Sequence, residues 1–448
     1  MGGGINGKNT EFVILCFEGP DTYSNAGGLG VRISHLSTAL AQAGFSTHLF
    51  FIGDPRLPGE ERRCGGKLIL HRWCQWISSY HPNGVYDGEE GKVYDFNESI
   101  PWFVTNNIVR PAVEAGKLVV VLAEEWQTAE AMCRLHDSLC NLGQRDRAVM
   151  FWNANNTFSF HRINWSQLTS CATITAVSRY MKHLMWSMGL NPVVISNGIP
   201  KKLLRRVNDT EAAKVRGLLG ADLVLSKVAR WDPHKGWDAA IEAVSHLKDR
   251  NLKVRLLARG GIEPYGEEVI HKAYRLGLKV ARAETQARSG DGCIQALREA
   301  STADVINIKF PLSSELLRLI YRASDVVLAN SGHEPFGLVG LEAMAAGGIA
   351  FTGNTGEDYT IPMVNSIVLE TGDPMEIVGH IVYLREHPKE GKKIRDAARR
   401  TARYFTWQAS VRSLIGRLES WGQRQGWLPG RLVGEKAGNG SAQLRRAG

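Results

Sequence analysis

Long apolar runs are missing from this chain: nowhere do about eighteen uninterrupted hydrophobic residues occur, the length that a membrane-spanning helix needs. Its start, MGGGINGKNT, lacks the basic-then-apolar layout of a secretory leader, so a cytoplasmic protein is expected. The seven cysteines, Cys16, Cys64, Cys74, Cys133, Cys140, Cys171 and Cys293, are odd in number and contain no close CxxC pair. Reduced thiols are therefore expected rather than disulfides or a zinc site. Asp-x-Asp, the usual carboxylate pair for a metal-held diphosphate, does not occur either. The basic stretches carry no interleaved aromatics, and no zinc-finger or RNP-like pattern is present, which argues against nucleic acid as a partner.

What is present is the balance of a globular protein: 448 residues, 44% hydrophobic and 22% charged, too long for one ordinary core. Two domains are the default. The net charge of +9 is concentrated at Lys389–Arg403 and in the tail ending at Arg446. A solvated helix face is the ordinary reading of the first cluster, and peripheral contact with the anionic inner face of a membrane is the alternative that it raises.

Apolar runs alternate with helix-period segments from end to end. Glu11–Phe17, a glycine turn, the helical Gly30–Ala43 and Thr47–Gly53 make a β-α-β beginning. Lys117–Ala123, helix Thr128–Leu142, Arg147–Asn153, Thr173–Val177 and Val193–Ser196 complete a first half, and Lys201–Arg216 reads as a linker. Alternation restarts with Leu223–Ala229, helix Trp237–Lys248 and Val254–Ala258. It runs on through Val305–Phe310, helix Ser314–Ala323, Val326–Ala329, a helix over Glu334–Glu342, and Ile349–Thr352. The pattern predicts an α/β protein of two doubly wound, Rossmann-like domains, at 10–205 and 217–405. A helix over 406–425 is expected to return to the first domain, and 426–448 to be a disordered tail. Ligands of open parallel sheets bind beyond the carboxyl ends of the strands, so a cleft between two such domains is the expected site.

Chemistry-bearing residues do follow strands. Gly27, Gly28 and Gly30 open a helix after the first strand, where backbone can approach a phosphate. Ile33 stands where a dinucleotide fingerprint needs its third glycine, so NAD is not expected. Arg230 and Lys235 lie on a turn entering a helix, and both can reach one diphosphate. Glu334 and Glu342 flank another helix start, whose free N–H groups near Gly337–Val339 suit a second side of that diphosphate. Pro335 keeps Glu334 in the turn, facing a sugar, while Glu342 is expected about two turns into the helix, facing the same cleft and a ribose.

This ordered set, GGLG, Asn197-Gly198-Ile199, R-x4-K-G and E-P-F-G-L-x-x-L-E-A-M-A-x-G, resembles the retaining glycosyltransferases of the GT-B fold, family 4, related to bacterial glycogen and starch synthases. The likeness spans about Phe12–Trp407. It implies a hexosyltransferase that moves a sugar from a nucleoside diphosphate to a carbohydrate or lipid-linked acceptor hydroxyl, without metal or other cofactor. UDP-glucose is the donor expected from frequency within the family. By the same resemblance Arg230 and Lys235 grip the diphosphate and Glu342 binds ribose. Glu334 lies beside the donor sugar, Phe336, Gly337, Leu338 and Val339 add amides, Gly28 and Leu29 reach across the cleft, and Phe310 lies in the segment that touches the base. Family members carry a histidine that contacts the sugar; here Asn153 or Asn155 stands in that stretch. Glu124-Glu125-Trp126-Gln127 replaces His-Asp-Trp, and His333 replaces a small residue. With Trp126, these departures lie on the sugar and acceptor side. Trp73, Trp76, Trp102 and Trp152 are further acceptor-side candidates, with core packing their ordinary role. A nucleotide-sugar 2-epimerase and a non-catalytic nucleotide-sugar binder share the layout and are the rival readings.

Overall fold

The computed structural model describes residues 4–287, 289–353 and 356–424. The expected tail at 426–448, including its basic end, lies outside the described residues. Two sheets organise the chain. The first contains β1 (Thr10–Leu15), β2 (Ser46–Ile52), β3 (Glu60–Arg63), β4 (Leu68–Trp73), β5 (Leu118–Glu124), β6 (Ala148–Ala154), β7 (Thr173–Ala176) and β8 (Val193–Val194), in the order β3-β4-β2-β1-β5-β6-β7-β8. The second contains β9 (Leu223–Val228), β10 (Val254–Arg259), β11 (Val280–Ala283), β12 (Val305–Ile308), β13 (Val326–Ala329), β14 (Ala350–Thr352) and β15 (Ile367–Val368), in the order β11-β12-β10-β9-β13-β14-β15. Every pairing among these strands is parallel except β3 with β4. Two doubly wound α/β domains therefore face each other, as the alternation predicts.

Parallel strands buried on both faces are apolar throughout, and successive side chains feed opposite cores. In β1, Val13 and Leu15 join Phe50, Val121 and Trp152 on one face. Phe12 and Ile14 join Ile33, Phe51 and Val120 on the other. Trp407, Val411, Leu414 and Leu418 pack into that second core, so helix Trp407–Arg424 lies against the first domain beside helix Gly28–Gln42. The chain thus crosses between domains twice, and the crossings touch: the Ile199 N–H donates to Phe405 O at 2.9 Å. A Cβ on Gly198 would come within 2.5 Å of Thr406 and Trp407 backbone atoms, which is why glycine stands at this crossing.

Several elements differ from expectation. Lys201–Arg216 is not a plain linker: a 3-10 turn over Lys201–Leu204 precedes helix Asp209–Leu218, which the Asn208 side chain caps through the amides of Thr210 and Glu211. The late helix starts at Leu338 rather than Glu334, with Gly337 at φ 78° as its cap, so Glu342 sits little more than one turn in. Part of the basic run is structural. Helix Pro388–Ala402 buries Ile394, Ala398 and Ala402, and its Arg395 donates to the carbonyls of Gly347, Ser324 and Asp325. Among the described residues no helix is long and apolar enough to cross a membrane.

Candidate active site

Strand ends from both domains open onto one cleft of about 1020 Å³. Its second-domain wall is built by two turns. The first leaves β9 and carries Arg230, Lys235 and Gly236 into helix Trp237–Asp249. Asp232 caps the short turn Pro233–Lys235 by accepting from the His234 N–H at 2.8 Å, and Trp237 Nε1 donates to Arg230 O at 2.8 Å. Gly236 is left-handed, φ 66°, and a Cβ there would meet Asn330 O at 2.3 Å. The second turn leaves β13 and runs Asn330–Gly337 into helix Leu338–Ala346. Lys235 Nζ and Glu334 Oε2 meet between the turns at 3.4 Å. Arg230, Lys235, Glu334 and Phe336–Val339 all line the cleft. The opening amides of helix Leu338–Ala346 have no acceptor within their own helix, so their positive end is open to an anion.

Opposite stands the first domain. Gly28 and Leu29 line the cleft, and a side chain on Gly27 or Gly28 would meet nothing within 4 Å. Sequence reasoning missed Glu18, whose Oε2 accepts from the N–H groups of Gly27 at 3.0 Å and Gly30 at 2.9 Å. A carboxylate of the chain itself therefore takes two amides at the start of this helix, and Tyr86 Oη donates to its other oxygen at 2.6 Å.

Behind this wall lies a buried polar network. Arg32 donates to Glu124 at 3.1 Å and also to Asn197, with the ion pair almost wholly out of solvent. Glu124 Oε2 accepts from Asn153 Nδ2 at 2.8 Å and Asn155 Nδ2 at 2.7 Å. Asn153 is buried and bonded to Thr175, whereas Asn155 lines the cleft. Of the two asparagines considered for the sugar side, the geometry thus turns one inward and leaves the other facing the cavity. Glu125 follows, at φ 68°, ψ 168°, a region that residues with a side chain rarely adopt. Its carboxylate accepts from the Asn155 N–H at 2.6 Å and lines the cleft, and burial pushes it up to about 8, with Glu124 adding to the rise. Trp126 lines the cleft under the Arg162 guanidinium, 3.9 Å from its ring centroid.

Four expected residues stand elsewhere. Glu342 is not on the cleft wall; it is set behind the helix start, where burial and then the charge of Glu334 raise its carboxyl to about 7. Phe310 is in the core beside Ile306 and Leu316. His333 lies on a neighbouring cavity with His234 and contacts Tyr180 Oη across the domains at 3.1 Å. Asn153 is the fourth. Of the tryptophans, Trp152 is core, Trp73 packs on Phe50 and Phe103, and Trp76 and Trp102 are exposed. Beside Tyr180, Arg179 latches the two domains: its N–H donates to Asp358 Oδ2 at 3.0 Å.

Residues 208–401 match the family model "Glycosyl transferases group 1". D-inositol 3-phosphate glycosyltransferase of Geodermatophilus obscurus is 29% identical over 227 residues, 50% of this chain and 46% of the relative. That of Corynebacterium glutamicum is 26% identical over 268 residues, 56% of this chain and 58% of the relative. The alignments thus span about half the length of these relatives. Among solved structures, sucrose-phosphate synthase from Thermosynechococcus elongatus superposes with a TM-score of 0.64 at 18% identity, covering 92% of this chain and 98% of that one. Anabaena HepE in complex with UDP-glucose gives a TM-score of 0.59 at 16% identity, over 91% and 99% of the two chains. At these identities the likeness is one of fold.

Proposed function

From the GT-B fold and the match of residues 208–401 to the glycosyl transferases group 1 model, we propose a retaining, metal-independent hexosyltransferase acting on a nucleoside diphosphate sugar, UDP-glucose being the first donor to try. The observation that carries this reading is the meeting, in one cleft, of Arg230, Lys235 and the free amides at Gly337–Val339. Breaking an anomeric C–O bond leaves negative charge on the departing diphosphate. Fixed cations and amides aimed at that charge are worth most in the transition state, about 2.7–4 kcal/mol for each well-placed donor. They do here what a divalent ion does elsewhere.

The acceptor hydroxyl attacks from the face that the diphosphate leaves. Its oxygen bonds to the anomeric carbon as the C–O bond to phosphate breaks, and its proton passes to the departing phosphate oxygen. Configuration is retained without a covalent enzyme intermediate. Glu334, paired to Lys235, lies where it can hold donor-sugar hydroxyls. Asn155 and Trp126 face the sugar from the other domain.

On the acceptor wall, Glu18, Glu89 and Glu125 line the cleft with Asn155 and Asn156, and among the described residues no Lys, Arg or His of the first domain joins them. With Glu125 held largely neutral by burial, the negative charge of Glu18 and Glu89 and the lack of a facing cation support a neutral carbohydrate or glycolipid hydroxyl over the phosphorylated acceptor in the relatives' name. Incubation with UDP-glucose, ADP-glucose and GDP-mannose against neutral and phosphorylated polyols tests it, with proton NMR of the product's anomeric coupling. Transfer with retention to a neutral acceptor is expected; inversion, or hydrolysis with no transfer to any acceptor, contradicts the proposal.

A further inference from the structure

Lys227 is the fifth residue of β9, in a strand otherwise made of Leu223, Val224, Leu225, Ser226 and Val228. It is 1% exposed, yet it lines the cleft beside Arg230, Lys235 and Glu334. Its Nζ donates to Asn330 Oδ1 at 2.5 Å and, more weakly, to Leu328 O at 3.4 Å, and lies 5.2 Å from the Trp237 ring centroid. An ammonium has three N–H donors, and both of these acceptors are neutral. No carboxylate forms an ion pair with it among the described residues: Glu334, whose negative charge reaches it, is paired to Lys235. A buried cation without a counter-ion is costly, and an apolar side chain would fit this strand at less cost.

We propose that Lys227 is the floor of the donor site, a third cation whose counter-charge is the nucleoside diphosphate held by Arg230 and Lys235. The inference rests on the donor reading above and deepens it. Asn330 ties the arrangement together. Its Oδ1 accepts from Lys227 and its Nδ2 donates to Gly236 O at 3.0 Å, so the floor cation and the turn carrying Lys235 share one amide.

Proton binding is coupled to this role. Burial lowers Lys227 to about 7, with Glu334 raising it and Lys235 lowering it further. Near neutrality part of the population therefore carries no charge at Lys227, and an arriving diphosphate restores it by drawing a proton from the buffer. Binding should weaken with rising pH, because the protonated form is the one that binds.

Calorimetric titration with UDP, ADP and GDP, in buffers of different ionisation enthalpy from pH 7 to pH 9, tests this on the wild-type protein without any substitution. Expected are net proton uptake above pH 7 and an affinity that falls at least tenfold by pH 9 for the nucleotide that binds best. Lys227→Met should lose at least tenfold in affinity at pH 7 together with the uptake. Lys227→Arg, which keeps its charge, should bind at pH 9 more nearly as at pH 7. Wild-type binding without proton uptake, or equal affinity in a folded Lys227→Met, overturns the floor-cation role while leaving the donor site standing. Failure of all three nucleotides to bind overturns the donor reading and this inference with it.

Discussion

Lys235 Nζ stands 3.4 Å from Glu334 Oε2, joining the turn after β9 to the turn after β13 by a half-buried ion pair. In the proposed donor site the two partners serve different parts of the donor, the lysine the leaving diphosphate and the glutamate the sugar. Glu334→Gln should therefore split the two roles. Nucleoside diphosphate affinity is expected to be unchanged or tighter, since a negative charge beside the phosphates is gone, while kcat falls by on the order of a hundredfold. Steady-state kinetics with a product-inhibition constant for the nucleotide reads both. Equal loss of affinity and turnover would mean that the pair only holds the turns together.

The Arg32–Glu124 pair is a second link, at 3.1 Å and shielded from solvent. Removing one partner of such a pair leaves a buried charge and costs about 3–5 kcal/mol. Arg32→Met should destabilise the protein by that order in urea unfolding. Because Glu124 also accepts from Asn155, turnover should fall as well.

Asn153 and Asn155 should separate cleanly. Asn155→Ala removes a side chain on the cleft wall and is expected to lower turnover with a small change in melting temperature. Asn153→Ala, which opens the buried bonds to Glu124 and Thr175, should mainly lower stability, by about 1–3 kcal/mol. Thermal melts and kinetics on both variants check the split.

Stability should also report two raised carboxyls, Glu125 at about 8 and Glu342 at about 7. Between the usual glutamate value and these, the folded state binds more protons than the unfolded one, so stability falls as pH rises through that window and levels off above about pH 8. Glu125→Gln should flatten part of the slope. Urea unfolding at pH 5, 6.5 and 8 measures it, and a slope identical to that of the wild type would remove Glu125 as its source.

Much of the fold is legible in the sequence because buried parallel strands announce themselves. The runs at Glu11–Phe17 and Leu223–Ala229 are largely apolar; the first overlaps β1 and the second contains β9. The stretch between β2 and β5 is not legible in the same way. β3 is Glu-Glu-Arg-Arg, an antiparallel edge strand with no apolar face, and helix Glu89–Val104 contains Pro101. At the site, the turn residues Arg230, Lys235 and Glu334 can be found from their positions after strands. Glu125 is found in the sequence as a departure on the sugar and acceptor side, whereas Glu18 and Lys227 escape sequence reasoning although each carries a signal: a charge at the carboxyl end of an apolar run, where an open sheet places its ligand. Glu342 is expected about two turns into its helix, but the Gly337 cap starts that helix at Leu338 and leaves Glu342 little more than one turn in, half-buried.

If the cations of the 230–235 turn hold the donor diphosphate in the interdomain cleft, binding must depend on them. The direct test is the affinity of the double variant Arg230→Ala, Lys235→Ala for the nucleoside diphosphate that the wild type binds best, with circular dichroism to show that the fold persists. A loss of a hundredfold or more, on the order expected for removing charged contacts to a phosphate, is predicted. Wild-type affinity in a folded double variant would place the donor elsewhere.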